Sequence, residues 1–271
     1  MDRYGVSQDA LAHVVCHRAR HPITVDGDLE KAAWRDAPRS SRFVDMVSGE
    51  PALYETRVAC QWDETRLYVA YWVEEPQVRA TLTERDSFIW NDNDVELFVA
   101  GEGCYYELEI NALGTVYEAF LVWQDALRRG GRFDRPQFDL YQRRVDLLGG
   151  FQDARRWDRH PRGRRWVFLD FDLEGLETAV RVDGRINDPS TVDRGWTVEM
   201  ALPWTGLAVL FDGRTLPPGE GETLRCDFSR FEAMRLHGKP VPENPAWSLN
   251  PHGVYDSHIP ESFSVVHFSE T

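Results

Sequence analysis

Hydrophobic and polar residues alternate with a period of two through most of this chain, and sustained helical periodicity is almost absent. The alternation is clearest across residues 85–111. Val95, Leu97 and Val99 alternate with Asp94, Glu96 and Phe98; after a Gly-Glu-Gly connection, Tyr106, Leu108 and Ile110 alternate with Tyr105, Glu107, Glu109 and Asn111. Each run has the pattern of a strand with one apolar and one polar face. Side by side, the two strands share a face crowded with acids and aromatic rings. Like charges opposite one another on a sheet repel, so such a face is either solvated, paired with cations or used for a ligand.

The rest of the chain repeats the theme. Residues 56–60 and 67–73 read as a hairpin, and further strands are predicted over 114–123, 166–171, 178–182, 195–202, 223–231 and 263–268. A helical turn or two ends near Pro38, anchored by Trp34, and a second short helical piece covers 205–210. Ten to twelve short strands with tight turns predict an all-β fold, a two-sheet antiparallel β-sandwich. The expected domain spans residues 23–271, with 1–22 as an N-terminal extension. One segment breaks the rhythm: residues 124–165, with two Gly-Gly pairs, scattered aromatics including Phe133, Phe138, Phe151 and Trp157, and no clean period. It is read as a long Arg-rich insertion packed over one end of the sheets.

Composition narrows the partners. Of 271 residues, 42% are hydrophobic and 12% aromatic, enough for one sizeable core. The formal net charge of -14 argues against nucleic acid or an anionic membrane as partner. Residues 124–166 nevertheless carry twelve Arg and six Asp, leaving the remainder more acidic still. Those arginines suit a solvated or subunit-contacting surface, which keeps a homo-oligomer open. Cys16, Cys60, Cys104 and Cys226 are too far apart for a zinc or redox motif and read as buried thiols. No apolar run is long enough to span a membrane, and residues 1–22 lack the apolar core of a signal peptide, so a cytoplasmic location is expected.

Eight segments in order, ITVDGDLEKAAW, WDETRLYVAYWVEEP, RDSFIWNDNDVELFV, YYELEINALGTVYEAF, DRGWTVEMALPW, LRCDFSRFE, WSLNPHG and HIPESFSVVHF, resemble carbohydrate-binding module family 9-like proteins. The resemblance runs from about Ile23 to Phe268, interrupted chiefly by the Arg-rich segment, and implies a sandwich of DOMON-like topology. In the sugar-binding members two tryptophans sandwich a terminal sugar while carboxylate and amide side chains fix its hydroxyls. By position, the first tryptophan matches Trp90 and the acid six residues on matches Glu96; the second matches Trp247, with Asn244 three residues before it. The arginine of such sites has no matching residue here. Related modules also bind calcium, which makes Asp86, Asp92 and Asp94 candidate ligands for a structural ion.

The resemblance thus implies binding of a sugar, a glycoside or a similar polyhydroxylated small molecule in a concave site, where indole stacks on apolar pyranose faces. An alternative keeps the same pocket for cofactor-independent acid/base chemistry: isomerisation, elimination or cyclisation. Glu96, Glu107 or Asp227, with Arg230 and His258, would then move protons. No nucleotide loop, metal triad or nucleophile elbow is present, and no Met and His pair suggests haem, so no other cofactor is expected.

Overall fold

The Asp94–Ala100 and Cys104–Asn111 strands pair antiparallel in the register their alternation predicts, Val95 opposite Ile110 and Glu96 opposite Glu109. Their connection needs glycine. Gly103 has a φ of 75°, and a Cβ there would stand 2.7 Å from the Cβ of Ala126. The computed structural model describes residues 7–149 and 160–271. No described helix is long and apolar enough to cross a membrane.

Around this pair the chain builds an all-β sandwich. One continuous hydrogen-bonded path of strands runs Glu177–Asp183, Gly195–Pro203, Arg66–Glu74, Thr56–Trp62, His13–Arg18, Ser264–Ser269, Thr223–Phe231, Asp94–Ala100, Cys104–Asn111, Val116–Trp123, Arg165–Phe168, Val145–Leu148. The path folds over so that its two halves face each other. Val58, Val69, Tyr71 and Val198 from one half share a core with Val95, Leu97, Tyr106, Leu108 and Phe228 from the other. Tyr71 bridges the halves, its ring 6.3 Å from that of Phe228 and its hydroxyl donating to the Glu96 carbonyl at 2.7 Å. Burying such rings is the main stabilising term, about 1.5–3 kcal/mol for each large apolar side chain. Trp34, within the short Ala32–Arg35 helix, is fully buried, its indole N–H satisfied by Glu199.

Two features depart from expectation. The sandwich is not wholly antiparallel, because His13–Arg18 runs parallel to both Ser264–Ser269 and Thr56–Trp62 and joins the two halves. The boundary at residue 23 is therefore corrected: from His13 onward the chain is part of the sandwich. The signal was present but short, since Val14 and Cys16 are buried while His13 and Val15 are exposed. The Arg-rich insertion, for its part, extends the sheet. Val145–Leu148 pairs with Arg165–Phe168, which pairs with Val116–Trp123, and Phe133 and Phe138 are buried against Phe120. Phe151 and Trp157 lie outside the described residues.

Candidate functional site

The outer face of the half-sheet that carries Asp94–Ala100 holds a cavity of about 540 Å³. Its lining follows from strand parity. Residues facing the inter-sheet core at Val95 and Leu97 put Glu96 on the opposite side, and Glu107 and Glu109 come to the same face from the neighbouring strand. The short turn Ile89–Asn91 delivers Trp90, half-buried, with its ring stacked on Phe88 at 4.6 Å and edge-on to Tyr117 at 5.3 Å. That turn is clasped by Asp92, whose carboxylate accepts from the Thr81 and Leu82 amides at 2.7 and 2.8 Å, the Thr81 hydroxyl and the Asn111 side chain. The Trp90 amide in turn donates to Glu109 at 3.0 Å. From the end of the chain come Tyr255, Asp256, Ser257 and His258; the insertion adds Asp146, Leu147 and Leu148 as one wall.

The acids of this floor are held in their neutral forms by burial. Desolvation, reinforced by neighbouring carboxylates, pushes Glu96 up to about 8 and holds Glu107 and Glu109 well above the usual carboxylate range. Glu107 and Glu109 share a hydrogen bond, which requires a proton on one of them. Glu96 accepts from Ser229 at 2.9 Å and from Ser257. Desolvation acts on His258 in the other direction, lowering it to about 3 with help from Arg165. The ring is therefore neutral, 3.6 Å from Glu107 and hydrogen-bonded to the Tyr105 hydroxyl at 3.1 Å.

Of the residues singled out in the sequence, Trp90, Glu96, Glu107, Asn244 and His258 line the cavity together. Trp247 does not. It pairs across strands with Arg230, which pairs with Val95, and cross-strand partners share a face, so its indole points into the inter-sheet core. There it is 3% exposed, edge-on to Tyr54 and 5.0 Å from the Arg230 guanidinium. The pairing of Trp90 with Trp247 is corrected accordingly. Arg230 also belongs to the core: fully buried, it binds Glu232 at 2.5 Å, Thr56 at 3.1 Å and the Glu74 carbonyl at 2.8 Å. Asp227 lies on the outer-face parity but sits behind His252, at 3.1 Å, rather than in the cavity lining. These two therefore cannot serve as proton-transfer groups in this cavity.

The proposed calcium triad does not assemble either. The Asp92 carboxylate is spent on the clasp, and Asp86 belongs to the neighbourhood of Arg85 and Asp172. Among the described residues, the group of acids whose oxygens converge is Asp94, Glu96 and Glu109. Tyr117, Tyr255 and Glu109 are among the lining residues that sequence reasoning did not assign to the site. Glu109 was marked by its parity with Glu96; Tyr255 lies in an irregular segment and carried no periodic signal. A wider groove of about 880 Å³ lies over the other half-sheet, but its ring, Trp72, is already covered by the Arg39 guanidinium at 4.0 Å.

Comparison with known proteins agrees with this architecture. Residues 41–139, which include Trp90, Glu96, Glu107 and Glu109, match the family model described as carbohydrate-binding family 9. A candidate carbohydrate-binding protein from Bacteroides uniformis shares the fold with a TM-score of 0.59 at 16% identity, over 96% of this chain and 100% of that one. A family 9 carbohydrate-binding module from Caldicellulosiruptor kristjanssonii, in complex with cellotriose, aligns with a TM-score of 0.52 at 11% identity, covering 96% and 94% of the two chains. The same organism's module in complex with glucose gives 0.52 at 12% identity over 95% and 96%. No curated protein matches the chain. Within residues 41–139 the chain is thus similar to carbohydrate-binding family 9, inside a sandwich whose fold those structures share.

Proposed function

We propose that the protein binds a carbohydrate in the Trp90 cavity, with a glucose-type pyranose ring as the ligand class. The observation that carries this reading is the juxtaposition in one concavity of a half-buried indole with three buried carboxyl groups, Glu96, Glu107 and Glu109. Pyranose C–H faces are apolar and stack on aromatic rings, while ring hydroxyls need fixed donors and acceptors. Phe88, Trp90 and Tyr117 form the aromatic wall. Tyr255, rather than Trp247, supplies the further ring, and Asn244 the amide. A cavity of about 540 Å³ accommodates a sugar of one or two residues. The relatives' ligands, glucose and cellotriose, are the natural first probes.

The test is titration calorimetry with both sugars, read alongside tryptophan fluorescence. The wild-type chain is expected to bind with a change in indole emission. Trp90→Ala should abolish that change and weaken binding at least tenfold while keeping its melting temperature within a few degrees. Binding undiminished in Trp90→Ala would remove the cavity as the sugar site.

A further inference from the structure

The floor of the cavity carries a feature that stacking and hydroxyl recognition do not explain. Asp94 and Glu96 stand two residues apart on one face of their strand, and Glu109 is the cross-strand partner of Glu96. One carboxylate oxygen from each lies within 4.8 Å of the other two. All three side chains are buried, at 0%, 2% and 1% exposure. Each is also oriented from outside the cluster: the Phe231 amide donates to Asp94 Oδ1 at 3.1 Å, the Ser229 hydroxyl to Glu96 Oε2 at 2.9 Å, and the Trp90 amide to Glu109 Oε2 at 3.0 Å. Such outer hydrogen bonds are what aim carboxylates at a metal. The remaining oxygen of Asp94, Oδ2, is buried and has no hydrogen-bond partner. A buried acceptor left without a donor, facing two further carboxyl groups, calls for a cation to satisfy it.

We propose that Asp94, Glu96 and Glu109 bind a hard divalent cation of the calcium class at the floor of the cavity, and that its open coordination positions take hydroxyls of the bound sugar. An all-oxygen ligand set selects a hard cation. Oxygens on opposite sides of a calcium ion stand roughly 4.6–5.2 Å apart, so three oxygens within the observed separation can touch one ion. Calcium takes six to eight ligands, and three carboxylates leave positions to fill. Glu96 and Glu109 line the cavity, which places those positions where a ligand enters. The bridging of sugar hydroxyls rests on the carbohydrate reading; the cation site does not.

The experiment uses the full chain, stripped with a chelator and titrated with calcium chloride by calorimetry. Expected are one ion per chain, at least tenfold weaker uptake in Asp94→Asn and Glu96→Gln, and a rise in the wild-type melting temperature on adding calcium. The melting shift keeps the test decisive should either variant fail to fold. No calcium uptake by the wild-type chain, or uptake undiminished in both variants, would overturn the site. Glucose or cellotriose binding that is unchanged by chelation would overturn the bridging role and leave the sugar reading intact. Calcium uptake without binding of either sugar would support the cation site and count against the sugar reading.

Discussion

Two tryptophans of this chain look alike in sequence and differ in everything physical. Trp90 sits on a turn at the lip of the cavity, half-buried, with neighbours that leave it part of the lining. Trp247 is held between the sheets by Tyr54 and Arg230. Replacement by alanine should separate them. Trp247→Ala opens a core void and is expected to destabilise the chain by about 3–5 kcal/mol, while the folded fraction keeps its sugar affinity. Chemical denaturation read against calorimetric affinity checks this. A selective loss of affinity with unchanged stability would place Trp247 back in the binding site. The difference was legible only in part, because Trp247 lies in a three-residue strand too short to show its parity.

The turn that carries Trp90 stands or falls with its clasp. Ile89–Asn91 is a single short turn, and Asp92 ties it to the Thr81–Leu82 backbone and to Asn111 at the end of the Cys104–Asn111 strand. Asp92→Ala leaves buried donors without an acceptor, which costs about 1–3 kcal/mol for each group that water cannot reach. The expected outcome is a lower melting temperature together with a severalfold weaker sugar affinity, because Trp90 loses its fixed position; a variant with wild-type affinity would show that the turn holds itself. At this scale the sequence was informative about the strands and not about the clasp. Alternation marks strand faces directly, whereas the run Asp92, Asn93, Asp94 offers three polar side chains with identical local patterns and three different destinations. Asp92 clasps the turn, Asn93 binds Glu75 and Glu232, and Asp94 joins the acidic floor.

Across the whole molecule, buried acids set the response to pH. Glu96 is raised from an ordinary value of 4.5 to about 8 and Glu75 to about 7, both first by desolvation, and Glu107, Glu109 and Asp94 are raised with them. The folded chain therefore holds more protons than the unfolded chain between about pH 4.5 and 8, and its stability falls as pH rises through that window. His258 acts oppositely: neutral in the fold down to about pH 3, it takes up a proton near 6.5 when unfolded, so its contribution is lost as pH falls below that value. The acids outnumber it. In calcium-free buffer the melting temperature should be lower at pH 8.5 than at pH 5.5, and Glu96→Gln should narrow the difference. A melting temperature that rises toward pH 8.5 would contradict the burial of these carboxyls. The same scale explains why the Arg-rich insertion was hard to read: its Val145–Leu148 strand has the burial pattern of a sheet edge, with Asp146 and Leu147 exposed, and becomes a wall only by pairing with Arg165–Phe168.

Sequence alone determined the all-β class, the inner and outer faces of the strands around Glu96 and Glu107, and the place of Trp90 at their lip. These follow from period-two alternation, which is a local property of the backbone. Tertiary structure decided which distant groups meet: that Tyr255 and not Trp247 joins Trp90, that Arg230 and Asp227 are withdrawn from the cavity, and that Asp94 rather than Asp86 or Asp92 completes the group of converging acids. Those outcomes depend on cross-strand register and on how the two half-sheets fold over one another, and a shift of one residue in register would move Asp94, Asp227 and Arg230 to the opposite faces of their strands.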